Sequence, residues 1–114
     1  MDPFVVIQYL KMKYSTAVHN SGGKLPVWNQ AFDLPIYSLD HIIKLTCYDK
    51  DLILNDTIGE SLIRVQALLN SEGKRSWVSL YYKKEYAGEI LIQTTWKDIQ
   101  SDVFQDDENF GDEG

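Results

Sequence analysis

Seven short runs rich in Val, Ile and aromatic residues, each closed by a turn signal, leave this chain few folds to choose from. They lie at residues 4–10, 14–18, 30–36, 42–48, 58–65, 76–82 and 89–96. The first is punctuated by Pro3, the second by His19-Asn20-Ser21-Gly22-Gly23-Lys24-Leu25-Pro26, and the third by Pro35 and Ser38. Alternation is cleanest where Ile43, Leu45 and Cys47 share one face, and again where Ile90, Ile92, Thr94 and Trp96 do. Residues 65–69 predict one helical turn, stopped by Asn70 and Gly73. With no internal repeat and no sustained helical period, the expectation is an all-β antiparallel sandwich of seven strands. In such a sandwich the loops at one end converge, so a site can be assembled from residues distant in sequence.

At 114 residues the chain is one domain. The charge is unevenly placed. Residues 98–114 carry Asp98, Asp102, Asp106, Asp107, Glu108, Asp112 and Glu113 and no base, which leaves ten acids against eleven bases in residues 1–97. The sandwich is therefore expected over 1–97 and a disordered acidic tail over 98–114, either solubilising or masking a basic face. No apolar run approaches the ~20 residues that span a bilayer. Met1-Asp2-Pro3 opens without a basic stretch, and Cys47 is the single cysteine. The expected compartment is accordingly the cytosol, with Cys47 a small buried side chain. Trp28, Trp77 and Trp96 are expected to anchor packing. His19 and His41 lack partners at ligand spacing and read as surface histidines. Basic residues interleaved with acids argue against a nucleic-acid partner. No nucleophile elbow or phosphate loop is present, so no enzymatic activity is expected.

One segment carries chemistry. Residues 49–60 read Asp-Lys-Asp-Leu-Ile-Leu-Asn-Asp-Thr-Ile-Gly-Glu. Asp49, Asp51 and Asp56 bracket three bare aliphatic side chains, Leu52, Ile53 and Leu54. Crowded carboxylates repel one another unless a cation lies among them. Three large apolar residues on a loop are unfavourable in water unless something apolar receives them. A hard cation and a bilayer resolve both conflicts; a buried strand end beside a solvated acidic turn is the plainer alternative. Carboxylates with the carbonyl of Lys50 suit calcium, and magnesium less well, because it keeps its waters. The segment has the length of an EF-hand loop but Leu54 in place of the required glycine, Ile53 in place of an oxygen ligand, and strands instead of helices on its flanks.

Four segments together resemble a C2 domain, the eight-stranded calcium- and lipid-binding sandwich. They are Met1-Asp2-Pro3-Phe4-Val5; Gly23-Lys24-Leu25-Pro26-Val27-Trp28-Asn29-Gln30-Ala31-Phe32; Cys47-Tyr48-Asp49-Lys50-Asp51 with Asp56-Thr57-Ile58-Gly59-Glu60; and Ala87-Gly88-Glu89-Ile90. The short domain with its acidic tail is similar to the small single-C2 proteins of plants and protists. The resemblance implies calcium ligands at Asp2, Asp49, Asp51 and Asp56 with the Lys50 carbonyl, and membrane insertion by Leu52, Ile53 and Leu54. It also implies a phosphoinositide patch at Lys11, Lys13 and Lys44, for which a face of ordinary solvated lysines is the alternative. The family's first strand and its fifth aspartate have no counterpart here. A sheet short of one strand has an unpaired edge, to be completed by a preceding segment or by a second copy in a strand-exchanged dimer. The expected function is calcium-dependent binding to anionic phospholipid membranes, peripheral and cytoplasmic. The alternative is a calcium-independent protein-interaction scaffold with a protein partner.

Overall fold

The computed structural model describes residues 1–19, 22–23 and 26–98. From residue 99 onward the expected acidic tail lies outside the described residues. In chain order the elements are β1 (Pro3–Tyr9), β2 (Met12–Ser15), β3 (Ile42–Asp49), β4 (Asp56–Arg64), α1 (Val65–Asn70), β5 (Arg75–Tyr82) and β6 (Glu85–Gln93). The strands follow the order β2-β1-β3-β4-β5-β6, every pair antiparallel. Between β4 and β5 the ladder narrows to one pairing, Glu60 with Tyr81. There the sheet folds over into two layers.

Alternation along each strand supplies the core between the layers. Val5 of β1 and Cys47 of β3 pack with Leu80 of β5 and Ile90 of β6, with Trp28, Ile58 and Ala87 around them. A second cluster joins Tyr9, Ile43 and Leu45 to Val65 and Leu68 of α1, with Leu34, Ile36, Ile92 and Trp96 against it. The predicted helical turn is thus present, and its apolar side closes one end of the sandwich. Gly59 lets the layers meet closely. A Cβ at that position would lie 2.9 Å from the Cβ of Ala87 and 3.1 Å from that of Leu80. Beside it β4 carries a bulge: Cys47 pairs with Gly59 but Tyr48 with Thr57, so Ile58 is the extra residue.

Three strand expectations change. The last strand is Glu85–Gln93 instead of residues 89–96, because the two-residue turn at Lys83 and Lys84 starts its ladder four residues early, and Thr94 and Trp96 lie beyond its end. The second strand is Met12–Ser15 instead of residues 14–18, because Leu10 and Lys11 alone form the hairpin turn and set Tyr9 opposite Met12. Residues 30–36 are not in a strand, so six strands are formed among the described residues, not seven. Their alternation still carries Leu34 and Ile36 onto the core. What is missing is a ladder: Pro35 has no N–H to donate, and β6 ends the strand order with no neighbour on its outer side among the described residues. Trp77 is a further correction. It stands on the outer face of β5, 63% exposed, where packing had been expected.

Candidate functional site

β1, β3 and β4 bring the acids together at one end of the first layer. Pro3 pairs with Asp49, and Asp49 pairs with Asp56. Asp2 extends the β1–β3 ladder by one step. Its N–H donates to Asp49 Oδ1 at 2.8 Å, and its carbonyl accepts from the Lys50 N–H at 2.9 Å. Pro3 is held in turn by Trp28, whose Nε1–H donates to the Pro3 carbonyl at 3.1 Å, and by the His19 N–H at 3.0 Å. Trp28 therefore does more than fill the core: it fixes the start of β1 and with it the position of Asp2. Asp2 and Asp49 are half-buried, whereas Asp51 and Asp56 are exposed.

The loop beyond Asp49 folds on itself. Asp51 Oδ1 accepts the Leu52 N–H at 2.6 Å, and Asn55 Oδ1 accepts the Asp51 N–H at 3.4 Å. These two side-chain-to-backbone bonds tie the loop to itself. Its tip points away from the protein: Leu52 is 101% exposed, Ile53 97% and Leu54 75%. An open cleft lined by Asp2, Lys50, Asp51 and Leu52 lies beneath. Among the described residues no three acidic, histidine or cysteine side chains are gathered closely enough to hold an ion as they stand. The donor set is nevertheless all oxygen, which suits a hard cation. The sheet register brings Asp2, Asp49 and Asp56 to neighbouring strand ends, while Asp51 stays turned to its own backbone.

Cys47, two residues before Asp49, is buried and free. Burial, and then the nearby charge of Asp49, push its thiol up to about 11. It is a neutral core side chain at physiological pH and not a nucleophile.

The three lysines singled out in the sequence are only partly brought together. Lys13 and Lys44 both pair with Gln8, so they flank it on the face of the first layer turned away from the core. Lys11 sits in the β1–β2 turn. Lys44 is also ion-paired with Glu60 at 3.3 Å, and both are partly exposed, so the pair adds little stability. The histidines are not bare surface residues. His19 Nδ1 accepts the Val27 N–H at 2.9 Å, and His41 Nδ1 lies 2.6 Å from the hydroxyl of the fully buried Tyr9. That hydroxyl also accepts the Tyr37 N–H at 2.9 Å. A buried tyrosine needs a hydrogen-bonding partner, but the sequence does not say which residue supplies it.

The C2 domain family model matches residues 1–80 of the chain. The chain is 32% identical over 111 residues to elicitor-responsive protein 1 of Oryza sativa subsp. japonica, a match that covers 84% of this chain and 69% of that protein. It is 32% identical over 104 residues to cytosolic phospholipase A2 delta of Mus musculus, covering 83% of this chain but 12% of the phospholipase. The solved structure of a C2 domain-containing protein superposes with a TM-score of 0.68 at 26% identity, over 80% of this chain and 68% of that one. Family model, relatives and fold agree: the chain belongs to the C2 domain family.

Proposed function

We propose that this C2 domain is a binding module that associates with anionic phospholipid membranes when calcium occupies the end of the sandwich formed by Asp2, Asp49, Asp51 and Asp56, with the Lys50 carbonyl as a further ligand. The observation that carries this reading is the aliphatic tip. Leu52, Ile53 and Leu54 stand almost fully in solvent directly beside the acidic strand ends. A tip made only for folding would not place three large apolar side chains there.

The two features act against each other until a cation arrives. An anionic leaflet attracts each nearby basic residue by about 1 kcal/mol, and repels each carboxylate by a similar amount. Four carboxylates thus hold the loop off by roughly 4 kcal/mol. One calcium ion halves that charge and two cancel it. Fully burying a Leu or Ile contributes about 1.5–3 kcal/mol, so partial insertion of three such side chains adds several once repulsion is removed. Asp51 accepts the Leu52 N–H through Oδ1 alone, which leaves Oδ2 to join the ligands. Lys13 and Lys44 across Gln8 would add phosphoinositide headgroup contacts on the same body, and the setting is the cytoplasm, with peripheral membrane association on calcium.

A second reading follows from the spread of the carboxylates, which form no ready cage among the described residues. There the module binds a protein partner through the same tip without calcium. The outer side of β6, unpaired among the described residues, offers a further partner surface, where a preceding segment or a strand exchanged with a second copy would complete the second layer. Co-sedimentation with phosphatidylserine vesicles, in calcium and in chelator, separates the readings. The calcium reading expects binding in calcium only to rise steeply above that in chelator. Equal binding in both, with no heat of calcium binding by calorimetry, would leave the scaffold.

A further inference from the structure

We infer that the β5–β6 hairpin is a second contact for an anionic bilayer, one that needs no calcium, made by Lys83 and Lys84 with Tyr81 and Tyr86 beside them. The inference rests on the membrane reading above and extends it to a part of the fold that the acidic loop does not use.

The turn itself is the first sign. β5 ends at Tyr82 and β6 begins at Glu85, so Lys83 and Lys84 are its two central residues. Both have positive φ, 49° and 70°. A two-residue hairpin turn with positive φ at both positions strongly favours Asn-Gly or Asp-Gly. A residue with a full side chain is strained there, and two lysines are the opposite of what folding alone selects. The turn carries two successive lysines at an exposed tip.

Those groups are available. Among the described residues neither lysine is in an ion pair. Lys83 Nζ lies 5.3 Å from the ring centre of Tyr82, an attraction that does not neutralise its charge. Both lysines line an open groove with Tyr81, Leu62, Ser61 and Glu60. Glu60 is engaged by Lys44, Glu85 is the acid next to the turn and Glu89 lies further down β6 opposite Ser79, so the two lysines leave the tip itself net positive.

The surroundings suit a bilayer interface. Tyr81 and Tyr86 pack edge to face at 6.2 Å, and both are largely exposed. Further along the same face Trp77 stands opposite Leu91, both exposed, and Leu62 is 65% exposed across the groove. Tyrosine and tryptophan with flanking lysine are the side chains that settle at headgroup level.

Strand direction supplies the geometry. β4 runs away from the acidic end, starting at Asp56. β5 is antiparallel to it and Tyr81 is level with Glu60, so β5 runs back toward that end. Its tip stops about two residues, or ~7 Å, short of Asp56. The basic tip and the aliphatic tip therefore face the same way from different layers, and one surface can meet both. A twofold contact with a second copy centred on this hairpin would instead set four lysines together.

The test uses the full chain with vesicles of phosphatidylcholine alone or with phosphatidylserine. Lys83→Asn/Lys84→Gly gives the turn its preferred residues, so it is expected to fold and to melt at or above the wild-type temperature. It is expected to bind the phosphatidylserine vesicles in calcium about thirtyfold more weakly than wild type, and to change nothing on neutral vesicles. The same loss is expected in chelator on a background of Asp49→Asn/Asp56→Asn, where loop repulsion is reduced. A folded hairpin variant that binds as the parent does in both backgrounds overturns the inference and leaves the calcium reading intact. Hairpin-dependent binding that calcium does not strengthen supports the inference and sinks the calcium reading. A concentration-dependent dimer that the variant abolishes, with vesicle binding unchanged, assigns the face to a second copy and also overturns it.

Discussion

Tyr9 shows how much a single residue organises here. It is fully buried, and its hydroxyl ties the Tyr37 backbone and His41 to β1. Tyr9→Phe keeps the ring but leaves a backbone N–H and an imidazole nitrogen without their partner. A loss of about 1–3 kcal/mol in chemical denaturation is expected. Gly59 is the steric counterpart. Its missing Cβ is what allows β4 to lie against Leu80 and Ala87, neither of which can yield as the end of a long chain would. Gly59→Ala is expected to cost about 1–3 kcal/mol, seen as a lower melting temperature, whereas Gly73→Ala meets no atom and acts only through its positive φ. Neither role could be read from the sequence. Gly59 sits in a β-forming run where a glycine signals a bulge or a close approach; the β3–β4 register puts the bulge at its neighbour Ile58, and the second layer shows the close approach at Gly59 itself.

At the level of elements, the 49–56 loop was the most legible part of the chain, because its conflict is local. Acids and bare aliphatics that close together are in conflict with water and with one another whatever the fold. Leu52→Ser/Ile53→Ser is expected to leave the melting temperature within experimental scatter, since both side chains already stand in solvent. It should reduce calcium-dependent vesicle binding at least tenfold, from lost apolar burial of the size expected for aliphatic side chains. Strands β1, β3, β4, β5 and β6 were legible from β-forming residues and alternation, as was α1 from its short apolar run. Residues 30–36 show where that reasoning stops. Alternation chooses which side chains turn inward, but a strand also needs a neighbour to accept its hydrogen bonds, and no local pattern supplies one. The β5–β6 hairpin went unnoticed for a related reason. Tyr-Tyr-Lys-Lys-Glu-Tyr reads as a polar connection until the positive φ of both lysines shows what the turn gives up to carry them.

For the molecule as a whole, ligand binding at the acidic end should couple to folding, because Asp2, Asp49 and Asp56 come from three strands that meet only in the native state. Calcium at ten times its dissociation constant is expected to add about 1.4 kcal/mol, raising the melting temperature by roughly 5 °C or more, and Asp49→Asn/Asp51→Asn should remove that rise. An unchanged melting temperature at saturating calcium would point to the scaffold reading. The sequence by itself determined the β class, the inward faces of the strands, and the acids and aliphatic tip of the 49–56 loop, because these follow from periodicity and from the chemistry of neighbours in the chain. The tertiary structure alone decided that residues 30–36 remain outside the ladder, that Trp77 faces solvent, that Trp28 positions Asp2, and that the Lys83–Lys84 tip points the same way as the acidic loop. Each of those depends on which strand lies beside which and in what direction it runs, and pairing between distant segments leaves no mark on either one alone.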